Sequence, residues 1–140
     1  MNEAKLFILS TIGIIGSYIT TLVGGWNTAL VTLIIFMAID YLTGFIVAGV
    51  FKNSPKTPSG TLSSHTGWKG LCKKGMTLLV VLVANRLDTF TGSNFIQNAA
   101  IIAYILTETV SIIENAGLMG VPIPNVLTQA IDLLKKKETL

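Results

Sequence analysis

The chain has 140 residues, 51% hydrophobic and only 12% charged, with a mean hydropathy of +0.68. A water-soluble domain of this length carries about 25% charged residues, so too few charges are present to cover a surface facing water, and lipid is the implied surroundings. The net charge of +3 comes from lysines flanking apolar segments, a pattern of membrane-edge anchors and topology signals that argues against nucleic acid as a partner.

The first apolar segment runs from about Leu6 to Val23, behind Lys5. It is long and no Ala-x-Ala site follows it, so retention as a span is expected over cleavage as a signal peptide. Small residues recur four apart, Gly13 with Ser17, Gly16 with Thr20 and Ser17 with Thr21. Such pairs let helix backbones approach closely. Association between protomers and ordinary packing within one chain are both open readings. Gly24-Gly25 then supplies a permissive turn, and Trp26 fits a membrane interface.

A second segment runs from about Thr28 to Val50. It carries Asp40 near its middle and a further small pair, Gly44 with Ala48. A charge at the bilayer centre costs about 3 kcal/mol on insertion scales. The loop from Phe51 to Lys74 holds Lys52, Lys56, Lys69, Lys73 and Lys74. Its Ser54-Pro55, Thr57-Pro58 and Ser59-Gly60 steps predict an irregular, mobile loop. His65, the one histidine, has no partner nearby and is expected in that loop, since zinc requires about three or four ligands.

The third segment has an apolar centre, Met76 to Ala84, too short to span alone. Extended from Trp68 to Phe90 it is long enough, at about 1.5 Å per residue. Lys73 and Lys74 would then snorkel to one interface with Lys69, while Asn85, Arg86 and Asp88 sit near the other. Arg86 reads as an interfacial anchor, because residues two apart do not share a helix face with which to pair. Cys72 is the single cysteine, which excludes an internal disulfide framework and reads as small apolar filler.

Beyond the permissive Thr91-Gly92-Ser93-Asn94 turn, a fourth segment runs from about Phe95 to Ile113, with Ala99 and Ala103 four apart. Gln97, Tyr104, Thr107, Glu108, Ser111, Glu114 and Asn115 form a polar stripe opposite Ile101, Ile102, Ile105, Leu106, Ile112 and Ile113. That stripe must face other helices, another protomer or water. In one reading Asp40 and Glu108 are protonated or paired, with Lys73 or Lys74 as partner. In the other, the stripe lines water once copies assemble.

Asn115 to Pro124 contains the breakers Gly117, Gly120, Pro122 and Pro124. A short amphipathic helix is expected from near Pro124, ending in Lys135, Lys136 and Lys137 and lying on the membrane or on the bundle. The expected fold is an all-α membrane protein with four transmembrane helices plus that C-terminal amphipathic helix. Residues 1–114 form the bundle and 115–140 a cytoplasmic turn and tail. An even number of crossings puts Lys5, the lysine-rich loop and the tail on one side, so both termini are expected in the cytoplasm.

No phosphate-binding loop, HExxH or Gly-x-Ser-x-Gly motif is present, so neither an enzyme nor a cofactor is expected. A small ion or proton channel or transporter using Asp40 and Glu108 is the alternative function, though no inverted repeat is visible. A non-conducting scaffold is a third.

Three stretches carry a family resemblance. Ala38-Ile39-Asp40-Tyr41-Leu42-Thr43-Gly44 resembles the "DYxTG" signature in the second span of the holin family that includes clostridial toxin-secretion and phage-lysis holins. Ser63-Ser64 through Gly67, Lys69-Gly70 and Lys73-Lys74 is similar to that family's Ser/Gly/Lys loop. Ser111-Ile112-Ile113-Glu114-Asn115-Ala116-Gly117, then Gly120-Val121-Pro122-Ile123-Pro124, resembles its "SIxENxxxxGxPxP" segment. The resemblance implies a homo-oligomer in the bacterial cytoplasmic membrane that forms lesions. Through these, endolysin or a large toxin leaves as cargo, with an antiholin as a further candidate partner. It carries over Asp40, Tyr41, Gly44, Glu114, Asn115, Pro122 and Pro124. The family is often drawn with three spans, where four are read here.

Overall fold

The computed structural model describes residues 2–138, and among them five helices and no strand. They are α1 (Glu3–Leu22), α2 (Thr28–Gly49), α3 (Ser64–Thr91), α4 (Ile96–Leu118) and α5 (Asn125–Glu138). Three start on side-chain caps that satisfy an otherwise orphaned N–H. Asn2 accepts from the Ala4 amide, Asn27 from Leu30 and Ser63 from Thr66. Helix α4 has no cap of its own. Asp88, one turn from the end of α3, supplies it by accepting from the Ile96 amide at 3.0 Å and the Gln97 amide at 2.9 Å. Gly92, in the left-handed region at φ +73°, ends α3 and lets the chain double back.

Helices α2, α3 and α4 pack against one another along their length. At one end, the Asn53 amide donates to the Leu118 carbonyl, tying the central loop to the end of α4. At the other, the Gln97 amide donates to the Val23 carbonyl at 2.7 Å, and Asn85 donates to Gln97 at 3.3 Å. So α3 runs antiparallel to both neighbours. Between these ends Leu30, Leu33, Met37, Val81 and Ile101 form the core, with Leu33, Val81 and Ile101 wholly inaccessible. The outward faces are apolar: Ile35, Ile39, Leu42, Leu79, Val83 and Ile102 are all exposed. Leaving such area in water costs about 25 cal/mol per Å², so this surface suits hydrocarbon.

Helices α1, α2 and α4 are long and apolar enough to cross a membrane. Helix α3 has 28 residues, about 42 Å at 1.5 Å per residue, but its charged ends dilute its apolar centre. Helix α1 buries no residue. Its hydroxyls bond back to its own carbonyls, Thr20 to Gly16 at 2.8 Å and Thr21 to Ser17 at 3.0 Å. That satisfies them where water is absent.

Several sequence expectations are corrected. Helix α3 begins at Ser64 instead of Trp68, because Ser63 caps it, so His65 lies in the first helical turn. Cys72 is exposed on the outer side of α3 and fills no interior gap. Helix α4 runs past Ile113 and through Gly117 to Leu118, and the break comes at Gly120, with φ +81°. The central loop is irregular but tied: the Ser54 amide donates to the Gly60 carbonyl at 3.0 Å and the Thr57 hydroxyl to Thr61 at 2.9 Å.

Candidate functional site: a three-helix ion cluster

Asp40 and Glu108 lie near the middle of α2 and α4, and Lys74 reaches them from α3. The Lys74 ammonium donates to Asp40 Oδ2 at 2.7 Å and to Glu108 Oε2 at 2.9 Å. All three side chains are largely buried. Removing such charges from water is offset only when they pair closely and bond fully. Lys74 therefore turns inward from the membrane edge where the sequence reading placed it beside Lys69 and Lys73. Of the two cations considered for Asp40 and Glu108, Lys74 makes both pairs. Two carboxylates share one ammonium, so the cluster carries a formal charge of −1 when every member is ionised.

Asn115 completes the arrangement from α4. Its amide nitrogen donates to Asp40 Oδ1 at 3.1 Å, to the Asp40 carbonyl at 3.2 Å and to Thr43 Oγ1 at 2.9 Å. Two hydrogens are shared among three acceptors, and the residue is buried. Next to Asp40, the Tyr41 hydroxyl donates to the Gly67 carbonyl at 3.1 Å, and its ring meets Phe45 of the same helix edge-on at 4.9 Å. The hydroxyl bond fastens α2 to α3 on the loop side of the cluster.

A cavity of about 410 Å³ opens between α2, α3, α4 and the central loop. Asp40, Lys74, Glu108 and Asn115 line it, together with Ser111 and the loop residue Lys56. No group of side chains among the described residues is arranged to hold a metal. In the opposite direction the dry layer of Leu33, Val81 and Ile101 closes the interior.

The polar stripe read on α4 does not all turn inward. Gln97, Glu108 and Asn115 are buried, Tyr104 and Ser111 are half-buried, and Thr107 and Glu114 are exposed. Ile101, assigned to the outer face, is instead in the core between Gln97 and Glu108, with Ile105 packed beside it. A Cβ on Gly44 would meet Asn115 at 3.9 Å, an ordinary contact, so packing within the chain gives no steric reason for that glycine. Gly13 and Gly16 have nothing within 4 Å, and Ser17 is exposed beside them. Arg86 is exposed, while Asp88 turns to cap α4. Pro122 and Pro124 stand in the extended link before α5. Lys136 is exposed; the side chains of Lys135 and Lys137 lie outside the described residues.

Sequence reading missed the second polar cluster, Asn85, Asp88 and Gln97, as a connected unit. Its signal was present: an acid four residues before a glycine turn, with a polar residue opening the next helix.

A sequence profile of the bacteriophage holin family matches residues 17–136, which takes in the whole ion cluster. The chain belongs to the bacteriophage holin family. The probable holin of Bacillus phage phi105 is 35% identical over 104 residues, 74% of this chain and 71% of its own length. A Clostridium perfringens relative, described as an uncharacterised 14.9 kDa protein in the nagH 3′ region, is 38% identical over 140 residues, 99% of this chain and 97% of its own. YqxH of Bacillus subtilis is 31% identical over 140 residues, 99% of this chain and 91% of its own. No solved structure matches. Holin-family membership fits a non-enzymatic membrane protein. The family profile begins inside α1, so most of the helix that buries nothing lies ahead of the matched region.

Proposed function

We propose that this chain is a working holin. It crosses the bacterial cytoplasmic membrane four times with both termini inside, assembles with copies of itself and opens a lesion that passes endolysin or a large toxin. The observation that carries the reading is the placement of polarity. Asp40, Lys74, Glu108 and Asn115 are gathered on the inner seam of α2, α3 and α4, while the outward faces carry exposed aliphatic side chains and α1 has no charged residue beyond Lys5. Such a unit inserts stably as a monomer yet keeps in reserve a polar seam that parting helices expose to water. The antiparallel run of α3 between its neighbours supports its crossing with them. Residues 1–114 then act as the membrane bundle and 115–140 as a turn and tail on the cytoplasmic side.

Induced expression in a bacterium holding a cytoplasmic reporter enzyme tests this. A holin releases the enzyme after a delay. The cavity reaching Asp40 and Glu108 favours a second reading, a small ion or proton channel. That protein dissipates ion gradients and retains the enzyme. A non-conducting scaffold does neither.

A further inference from the structure

The charges of this chain are sorted by level. Lys52, Lys56, Lys69 and Lys73 stand at the end of the bundle holding the central loop, and the sequence from the end of α4 onward adds Lys135, Lys136 and Lys137, against Glu114, Asp132 and Glu138. That leaves a formal charge of +4. The buried cluster contributes −1, and at the far end Arg86 and Asp88 cancel. Glu3 and Lys5 on α1 also cancel.

Helix α5 hangs from this basic end. Its 14 residues form the most strongly amphipathic helix of the five. Val126, Leu127 and Leu133 are exposed, so their face has no cover from the bundle. At about 100° per residue, Val126, Ala130, Leu133 and Leu127 fall on one side, with Thr128 and Asp132 on the other and Gln129 at the boundary. The link from Gly120 to Pro124, with two prolines and Gly120 at φ +81°, ends α4 and separates it from α5. A helix that is half apolar, ends in three lysines and follows a membrane bundle through such a link matches one surface in particular. That surface has phosphate-bearing anions outside and acyl chains just beneath.

We propose that α5 is a docking helix for anionic phospholipid, lying in the headgroup layer beside the basic loop end. Its apolar side enters the acyl boundary, and its lysines meet lipid phosphates together with Lys52, Lys56 and Lys69. The inference rests on the inward orientation of the loop end proposed above, and it goes beyond that reading in naming the ligand class.

The test uses the full chain reconstituted in vesicles of phosphatidylcholine alone or with phosphatidylglycerol added. In a Cys72→Ser background, an environment-sensitive dye is placed at Val126→Cys or, as a control on the polar side, at Thr128→Cys. With phosphatidylglycerol the dye at 126 brightens, shifts to the blue and is quenched by nitroxide lipids, while the dye at 128 is not. Each lysine is worth about fivefold in partition, about 1 kcal/mol, so Lys135→Gln, Lys136→Gln and Lys137→Gln together weaken docking roughly a hundredfold. Three results overturn the proposal. Dim emission at 126 in both vesicles means the helix stays in water. Bright emission that nitroxide lipids do not quench means α5 folds onto the bundle. Quenching that is equal in the two vesicles and unmoved by the lysine changes means charge takes no part. Lipid docking without reporter release in cells would count against the lesion reading and leave this one standing.

Discussion

Asn115 on α4 reaches across to α2 and donates to the Asp40 carboxylate at 3.1 Å, on the oxygen that Lys74 does not use. The acid is thereby bonded on both oxygens from two different helices. The sequence stretches around these two residues, 75 positions apart, meet here as one structural unit. A buried amide in this position sets the register of α4 on α2, because sliding either helix by one residue would strand both polar groups.

Asn115→Ala is therefore expected to destabilise the fold by about 1–3 kcal/mol, the cost of leaving a buried polar group without its partner. Asn115→Asp should be worse, since it sets a second carboxylate against Asp40. Thermal unfolding of the detergent-solubilised protein measures both. Equal stability of wild type and Asn115→Ala would show that the bond carries no weight.

Lys74→Met should cost about 3–5 kcal/mol by leaving two buried carboxylates uncompensated. The triple variant Lys74→Met, Asp40→Asn, Glu108→Gln should recover most of that loss, because it removes the charges together. If the triple variant is as unstable as the single one, the lysine acts through packing alone. In the lysis assay, Glu108→Gln is expected to alter assembly or the delay before release.

Gly24 and Gly25 separate strain from crowding. Both have positive φ, +90° and +86°, so alanine at either costs about 1 kcal/mol or more. At Gly24 a new Cβ also falls 2.5 Å from the Asn85 amide nitrogen, whereas Gly25 faces open space. Gly24→Ala should lower the unfolding temperature further, and only it should disturb the Asn85–Gln97 contact. Asn85→Ala placed in the Gly24→Ala background should then cost less than it does alone.

Asp88→Ala removes the cap of α4 and should cost about 1–2 kcal/mol. Hydrogen exchange locates the effect: the Ile96 and Gln97 amides lose protection first, while those near Asn115 keep theirs. Uniform loss along α4 would contradict a local capping role.

Four crossings predict opposite labelling of two loops. In a Cys72→Ser background, Asn94→Cys should react with a membrane-impermeant maleimide in intact cells before lysis begins. Ser59→Cys should react only after permeabilisation. Reaction of both from outside would mean that α3 does not cross.

The sequence disclosed the helices through their apolar runs, and it singled out Asp40, Glu108 and Asn115 as polar groups with nowhere to go in lipid. What it hid follows from the solvent. In water an apolar stripe marks the interior, but in a bilayer both inner and outer faces are apolar, so Ile101 looked lipid-facing and is core. The end of α4 was obscured because Asn115 opened the stretch read as lying past the last span and Gly117 read as a breaker. Asn115 spends its polarity on α2, and Gly117 is carried along by the helix on either side. The start of α3 was written in Ser63, a cap signal that span-length arithmetic overrode.

The layer of Leu33, Val81 and Ile101 has an electrical consequence. It sits between two polar clusters like the insulation in a severed cable. On the holin reading proposed above, a hole wide enough for a folded enzyme would have to be walled by several copies, and their assembly would have to part this layer.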